Sequence, residues 1–330
     1  MTVLWLLNYV LQTTSVAVLY VVGFTGPTFV LGAVTLYQLF RYTPLWPFVI
    51  LYLSWVFLID WKTPERGGRD LLRNFARRLA IFKYMKDYYP ITLMKTSELD
   101  PQKNYIFGYH PHGFFTEGAS IGFGTDACGF GEKFPGIIPH LAVHSVLVKA
   151  WLYRDMLMSL GIVDATLDSL KYVLTQMGAG HSIVLVVGGA AEVNNCRPDS
   201  YVLLFSRRKG FIKLALETGC DLVPVFAFGQ NNLFPLVGGG YNSRFSRFNR
   251  WLYSKTHAGC VCCWGLSWCL PKRSPIVVVV GSPIPVEKVE NPTQDTIDKL
   301  HSRYIEDIKE MYKKYVKAYH PTDKSELLIV

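Results

Sequence analysis

The first 40 residues contain no Lys, Arg, Asp, Glu or His, a composition typical of membrane-embedded segments. The first charged residue is Arg41 and the next is Asp60, so two apolar stretches, 16–40 and 45–59, flank a proline-containing turn. A transmembrane helix needs about 20 apolar residues, so the first stretch is long enough and the second is short. The pattern predicts a membrane-embedded helical hairpin over residues 1–60.

Two alternatives to the hairpin are a secretory signal peptide and a buried pair of helices in a soluble protein. A signal peptide begins with basic residues and ends its apolar region at a small-residue cleavage site. Here no basic residue precedes the apolar region, and that region extends too far. The membrane hairpin is therefore the favoured interpretation.

Basic residues follow the second apolar stretch in close succession: Lys62, Arg66, Arg69, Arg73, Arg77, Arg78, Lys83 and Lys86. By the positive-inside rule, they place the domain formed by residues 61–330 in the cytosol. Residues 71–88 are predicted to form a basic amphipathic helix on the membrane surface. Contact with an anionic leaflet explains the net charge of +9. No pattern of basic and aromatic residues indicates a nucleic-acid partner.

After this basic region, apolar runs typical of buried strands alternate with helical patterns. The predicted strands are 104–110, 182–189, 221–229 and 275–281, and the predicted helices are 164–180, 207–219 and 293–319. This alternation predicts an α/β domain with a largely parallel sheet. Pro224 lies inside a predicted strand, which indicates either an edge position or a bulge.

The sequence YHPHG places His110 and His112 on a turn directly after a predicted strand. In α/β sheets, ligands bind outside the carboxyl ends of the strands, so this position favours a catalytic role. We expect His112 to act as a general base on a hydroxyl group, with His110 in a supporting or oxyanion-side role. Gly113 allows close approach of a substrate. The alternatives are an H-x-H metal site and a purely structural turn.

Two acids are candidates to orient the imidazole. Glu117 lies five residues after His112, in a spacing that resembles the H-x-x-x-x-D motif of glycerolipid acyltransferases. Glu192 follows a second predicted strand, in VVGGAAE. Because the end of a neighbouring strand brings an acid to the same edge of the sheet, we favour Glu192 and keep Glu117 as the alternative acid.

Other residues near these motifs are candidates for substrate contacts. Backbone N–H groups near Gly113, or at Gly188 and Gly189, are suited to hold a developing oxyanion. Arg207, Arg208 and Lys209 open a predicted helix, and basic residues at a helix start favour phosphate groups such as those of coenzyme A. The alternative role of the three is contact with lipid headgroups or solvent.

The seven cysteines do not indicate a metal centre. Cys260, Cys262, Cys263 and Cys269 are clustered, but their spacing does not match paired zinc-binding C-x-x-C knuckles. A cytosolic domain keeps such thiols reduced, and we expect them to be buried or palmitoylated. We predict no metal.

Five stretches appear in one order along the chain: YHPHG, KFPGIIPHLA, VVGGAAE, RRKGFIKLAL and LVPVFAFGQN. Together with DWKTPERGGR and the last predicted helix, they resemble the diacylglycerol acyltransferase type-2 family, which includes monoacylglycerol and wax-alcohol acyltransferases. The resemblance covers essentially the whole chain. The family's histidine motif falls on His110–Gly113 and its acid on Glu192. Residues 83–101 are most similar to monoacylglycerol acyltransferases.

The resemblance implies a multi-pass enzyme of the endoplasmic reticulum with a glycerolipid-acyltransferase-like α/β domain. Such an enzyme transfers a fatty acyl group from acyl-CoA, its co-substrate, to an acylglycerol or a long-chain alcohol, with no cofactor. The lipid bilayer is a further expected partner, and a homo-oligomer is left open. No serine lies in a G-x-S-x-G elbow, so we expect direct transfer without an acyl-enzyme. The alternatives are a wax-alcohol or retinol acyltransferase and a non-catalytic lipid-binding membrane protein.

Four positions depart from the family pattern. FGQN, with Gln230, replaces FGEN, and GGRD, with Asp70, replaces GGRR. CCWG at 262–265 replaces HGRG, and Glu117 stands where the family has an apolar residue. None of them lies in the central histidine motif, although the loss of the HGRG arginine puts substrate range and activity in question.

Overall fold

The computed structural model describes residues 3–24, 28–198, 200–234, 243–244, 247–248, 251, 265–266, 270–319 and 326–330. The clustered cysteines at 260–263 and 269 lie outside the described residues. The helices are α1 (Val3–Phe24), α2 (Thr28–Tyr42), α3 (Trp46–Trp55), α4 (Asp70–Arg77), α5 (Ala80–Tyr88), α6 (Glu117–Gly122), α7 (Phe130–Lys133), α8 (Ser145–Lys149), α9 (Tyr153–Ser159), α10 (Leu167–Gln176), α11 (Gly210–Thr218) and α12 (Gln294–Tyr319). The strands are β1 (Ile91–Lys95), β2 (Tyr105–His110), β3 (Ile138–Val143), β4 (Val163–Asp164), β5 (His181–Val186), β6 (Ser200–Leu203), β7 (Asp221–Phe228), β8 (Ile276–Val280) and β9 (Glu326–Ile329).

A seven-stranded sheet organises the domain, in the order β1-β8-β7-β2-β5-β3-β4. Every neighbouring pair is parallel except β7 and β8. The predicted α/β fold with a largely parallel sheet is therefore confirmed. β6 and β9 form a separate parallel pair. Three strands of the main sheet, β1, β3 and β4, were not predicted because their apolar runs are short or interrupted by polar residues.

Pro224 shows how the sheet accommodates a residue without a backbone N–H. β7 lies inside the sheet, between β2 and β8, so the edge alternative is wrong. The pairing register shifts by one residue between the pair Val225–Val280 and the bridge Leu222–Ile284. The extra residue lies in 282–283, opposite Val223, so Pro224 is next to a bulge of the opposite segment, and its carbonyl still accepts from the N–H of Gly281 at 2.9 Å.

Helices cover both faces of the sheet, as its uninterrupted apolar strands require. On one face, α5, α6, α7 and α9 contribute the buried residues Met85, Ile121, Phe130 and Leu157. On the other face, α10, α11 and α12 contribute buried residues such as Val173, Leu214, Ile297 and Ile308. The loops at the carboxyl ends of the strands are left between the two layers, and there the candidate site lies.

The N-terminal region contains one helix, α1, that is long and apolar enough to cross a membrane among the described residues. The predicted first span, 16–40, is not one helix, because α1 ends at Phe24 and α2 begins at Thr28, with Gly26 and Pro27 between them in sequence. α2 has 15 residues, or about 22 Å, which is less than the roughly 30 Å hydrocarbon core of a bilayer. Among the described residues the structure therefore shows one apolar helix of spanning length, and the second arm of the predicted hairpin stays a prediction.

The middle of α1 is bonded to the α/β domain. Arg273 donates to the side chains of Gln12, at 2.7 Å, and Thr13, at 2.9 Å. Its guanidinium also stacks on the rings of Tyr9 and Tyr88. Gln12 and Thr13 thus face the domain, while most of the apolar residues near the start of α1 are exposed.

The predicted amphipathic helix at 71–88 is two helices, α4 and α5. In α4 the basic side faces the domain and the apolar side faces outwards, the opposite of the expectation. Arg73 and Arg77 are buried, and Arg77 forms an ion pair with Asp126 at 2.9 Å. Leu71 and Phe75, on the opposite side of α4, are exposed by 94% and 72%. α4 therefore presents an apolar rather than a basic face outwards, because its arginines find acceptors inside the domain.

Candidate active site

Three parallel strands bring the candidate residues to one edge of the sheet. β2 lies between β5 and β7, and the three strands run in the same direction. The turns that follow them therefore lie side by side. His112 follows β2, Glu192 follows β5 and Gln230 follows β7.

His112 is half-buried at the centre of this edge. Its Nδ1 lies 3.1 Å from the carbonyl oxygen of Gly113. Since a carbonyl only accepts, Nδ1–H donates, and the neutral ring then carries its lone pair on Nε2. Burial lowers the pKa of His112 to about 4, so the imidazole is neutral at pH 7. This is the protonation state that a general base requires.

Glu192 is almost fully buried in the 3₁₀ turn Gly189–Asn195. One oxygen accepts the backbone N–H of His112 at 2.8 Å, and the other accepts the backbone N–H of Leu204 at 2.7 Å. The acid thus holds the backbone of the histidine turn, whereas we expected it to bond to the imidazole. Burial raises the pKa of Glu192 to about 7, although both N–H groups and Arg208 favour the carboxylate.

The glycines of the motifs make room for these contacts. A Cβ added to Gly188 would lie 1.8 Å from the Cδ of Glu192, so only glycine allows the carboxylate its position. Gly189 has φ +53°, and Gly113 has φ +67°, a conformation that favours glycine. Gly188 therefore borders the carboxylate directly and Gly189 lies against the Arg208 guanidinium, while any role for their N–H groups in binding an oxyanion stays a prediction.

The three predicted coenzyme A residues occupy the turn before α11 and differ in their contacts. Arg208 donates to the carbonyl of Val187 at 3.0 Å, and its guanidinium lies next to Gly189. Its charge also favours the carboxylate form of Glu192. Lys209 forms an ion pair with Asp298 at 2.6 Å. Arg207 is exposed. Arg207 and Arg208 are thus accessible to a phosphate group, whereas Lys209 is already paired.

His110 lies behind the turn and is fully buried. Its Nε2 is 3.0 Å from the hydroxyl of Tyr304, which donates in turn to the carbonyl of Gly108 at 3.1 Å. Burial lowers the pKa of His110 to about 3 and keeps the ring neutral. Tyr304, 194 residues away, was not identified from the sequence as a site residue, because its position on the apolar stripe of α12 indicates only core packing.

Glu117 does not bond to His112. It lies in the first turn of α6, where one carboxylate oxygen accepts from the Tyr20 hydroxyl and the other from the Gln230 amide. Burial raises the pKa of Glu117. Of the two candidate acids, the structure places only Glu192 in hydrogen-bond contact with the histidine turn.

The chain matches known proteins over most of its length. A family model described as diacylglycerol acyltransferase matches residues 37–330. The chain belongs to the diacylglycerol acyltransferase family. The chain is therefore an acyltransferase of this family, and acyl-CoA is its acyl donor.

Relatives of this acyltransferase are named either diacylglycerol O-acyltransferase or wax alcohol acyltransferase. It is 41% identical over 281 residues to diacylglycerol O-acyltransferase 2 of Xenopus tropicalis, covering 83% of this chain and 77% of that protein. It is 37% identical over 297 residues to acyl-CoA wax alcohol acyltransferase 1 of Homo sapiens, covering 88% and 89%. A solved structure, the 1-acyl-sn-glycerophosphate acyltransferase PlsC from Thermotoga maritima, aligns with 96% of this chain and 98% of that chain, at a TM-score of 0.42 and 12% identity.

This protein has an apolar cavity of about 180 Å³ beside the histidine turn. Phe115, Thr116 and Glu117, which follow His112 on the same loop, form part of its wall, and Leu19 and Tyr20 of α1 close another side. Most of the remaining lining is aliphatic, from β3, α8 and α9. Apolar cavities of about 150 Å³ take up small hydrocarbons. This cavity is suited to part of a lipid chain.

The departures from the family pattern fall at different distances from the site. Gln230 is fully buried next to Gly113. Asp70 begins α4 and lies 4.0 Å from Arg73, away from the histidine turn. Of CCWG, only Gly265 lies within the described residues. Within the described part of the chain, no group of three or more His, Cys, Asp or Glu side chains is arranged to hold a metal ion.

Proposed function

We propose that this acyltransferase transfers a fatty acyl group from acyl-CoA directly to the hydroxyl of a mono- or diacylglycerol, with His112 as general base. The observation that supports this most strongly is the state of His112. Its Nδ1–H is fixed on the Gly113 carbonyl, and no hydrogen bond within the described residues engages Nε2. A neutral imidazole with an available Nε2, next to an apolar cavity suited to part of a lipid chain, is equipped to deprotonate an alcohol.

The reaction balances without an acyl-enzyme. His112 Nε2 accepts the hydroxyl proton as the alcohol oxygen attacks the thioester carbonyl. The C–S bond then breaks, and the imidazolium returns the proton to the departing thiolate. A thioester is already activated, so positioning the two substrates contributes much of the rate. Glu192 supports the imidazolium by its negative charge and by holding the backbone of the turn.

Arg207 and Arg208 are proposed to bind the phosphates of coenzyme A. Both are exposed, and Arg208 lies between the surface and the Glu192 turn. This places a cationic surface on one side of His112, with the apolar cavity on the other. An acyl-CoA that crosses the site in this direction presents its thioester near His112.

One assay, with a panel of acceptors, identifies the acyl acceptor of this enzyme. Relatives of similar identity are named for diacylglycerol and for wax alcohol, so both acceptors, and retinol, belong in the same panel. We expect microsomes containing the chain to transfer labelled oleate from oleoyl-CoA to monoacylglycerol, toward which the resemblance of residues 83–101 points, or to diacylglycerol. Preference for a long-chain alcohol or retinol would select the alternative. Absence of transfer to every acceptor would support a lipid-binding protein without catalysis.

We also propose that residues 1–60 are embedded in the endoplasmic reticulum membrane and that residues 61–330 face the cytosol. The exposed apolar residues of α1 and α3 support membrane embedding, and the basic residues after Asp60 support the orientation. Two crossings would leave both termini in the cytosol, where protease added to intact microsomes digests tags at either end. Protection of the N-terminal tag alone would contradict the two-crossing topology.

A further inference from the structure

A buried hydrogen-bond network lies on the side of the histidine turn opposite Glu192. Gln230 is its centre and is fully buried. Its Oε1 accepts from the backbone N–H of Gly118 at 2.9 Å and from the hydroxyl of Tyr109 at 3.2 Å. Its Nε2 donates to Glu117, whose other oxygen accepts from the hydroxyl of Tyr20. The carboxyl and the amide therefore satisfy each other and three further polar groups.

The Gln230 amide also touches the residue that follows His112. A Cβ added to Gly113 would lie 2.5 Å from Nε2 of Gln230, so the amide packs directly on the glycine backbone. The same amide bonds to Glu117, four residues further along the loop. Gln230 thus contacts both ends of the segment 113–117, which links the histidine to the wall of the apolar cavity.

We propose that Glu117 and Gln230 form a positioning pair that holds the loop of His112 in its reactive geometry. This inference rests on the proposed role of His112 as general base. Glu192 holds the backbone of the turn from the β5 side, and the pair holds it from the β7 side. Neither Glu117 nor Gln230 bonds to His112, so the pair acts through Gly113 and the following loop.

The pair requires that one of its two groups donate a hydrogen bond and that the other accept it. With two carboxyls facing each other in this buried place, the amide donor is lost, and the contact forms only while one carboxyl stays protonated. With an apolar residue at 117, the Tyr20 hydroxyl and the Gln230 amide lose their partner. Both positions are departures from the family pattern, in which the acid stands at the place of Gln230 and an apolar residue at that of Glu117. In this chain the carboxyl of the pair comes from position 117 and the amide from position 230.

Exchange of the two groups tests the pair. We expect Glu117→Leu and Gln230→Glu each to lower kcat by about 10- to 100-fold, because small displacements of a reacting group have effects of this size. The KM for oleoyl-CoA should change little.

Glu117→Gln should have a mild effect on kcat, since an amide still bonds to Gln230. The double variant Glu117→Gln with Gln230→Glu should regain most of the activity that Gln230→Glu loses. Glu132→Gln, at an exposed glutamate of α7, is the matched control and should behave as wild type.

Two results would overturn the inference: wild-type kcat in Glu117→Leu, or a double variant no more active than Gln230→Glu alone. A readout independent of activity is amide hydrogen exchange over residues 110–118. Exchange should become faster in Glu117→Leu and in Gln230→Glu and return towards the wild-type rate in the double variant; unchanged exchange would also overturn the pair. If the wild-type chain transfers no acyl group, the proposed function fails, and hydrogen exchange still decides whether the pair holds the loop.

Discussion

Replacing His112 by alanine should lower kcat for acyl transfer by about 100-fold or more, the usual range for the loss of a general base. Alanine removes Nε2, which is the proton acceptor in the proposed reaction, and leaves the neighbouring carboxyl in place. The Glu192 contact to residue 112 uses a backbone N–H, which alanine retains. We therefore expect the variant to fold, to enter the membrane and to bind acyl-CoA with little change.

The measurement is the rate of transfer from oleoyl-CoA in microsomes, normalised to the amount of folded protein. His181, at the start of β5 on the opposite edge of the sheet, provides a matched control. His181→Ala should retain a near wild-type kcat because it lies far from the proposed reaction. Turnover of His112→Ala within a few-fold of wild type would remove His112 from the mechanism.

Replacing Glu192 by glutamine should lower kcat by about 10- to 100-fold, with little change in the apparent affinity for acyl-CoA. Each carboxylate oxygen accepts one backbone N–H, from His112 and from Leu204. Glutamine has one oxygen and one NH₂ group, so one of these N–H groups then faces a donor. The turn loses one attachment, and the negative charge near the imidazolium is lost as well.

The pH dependence of kcat distinguishes a role for this charge from a role in packing. Burial raises the pKa of Glu192 to about 7, so the carboxylate is lost as pH falls through that value. We expect wild-type kcat to fall on the acid side of about pH 7. The pKa of His112 is lowered to about 4, so its protonation does not produce this decrease. Glu192→Gln should have a low rate without the same acid limb.

The comparison variant is Glu117→Gln, which carries the same chemical change at the other candidate acid. It should be mild, because Glu117 makes no hydrogen bond to the histidine turn. A steep loss in Glu117→Gln together with a mild effect in Glu192→Gln would reverse the assignment and restore the local H-x-x-x-x-E interpretation. An acid limb unchanged in Glu192→Gln would show that another group titrates.

Local patterns in the sequence were sufficient for the fold class and for four strands of the main sheet. Apolar runs predicted β2, β5, β7 and β8 within a few residues, and the alternation of strands and helices predicted the parallel sheet. These predictions succeed because burial on both faces of a sheet requires continuous apolar residues. The position of His112 and Glu192 after two such strands followed from the same rule.

The N-terminal region and α4 were predicted less accurately from the sequence. Composition shows that residues 1–40 are uncharged, but not where a helix ends, so α1 and α2 were combined into one span. In α4, sequence alone predicted arginines facing a membrane surface. The partners that draw Arg73 and Arg77 inwards, Pro139 and Asp126, lie about 50 or more residues away in the chain.

By itself, the sequence determined the fold class, the family and the edge of the sheet at which the histidine lies. Only the tertiary structure decided which groups hold that histidine: Glu192 on its backbone N–H, Gly113 on its ring, and the Glu117–Gln230 pair on its loop. The physical reason is that periodicity reports which residues are buried, and burial is a local property of each strand or helix. A buried polar group bonds to whichever donor or acceptor the packing brings within about 3 Å, and most of those partners come from distant parts of the chain.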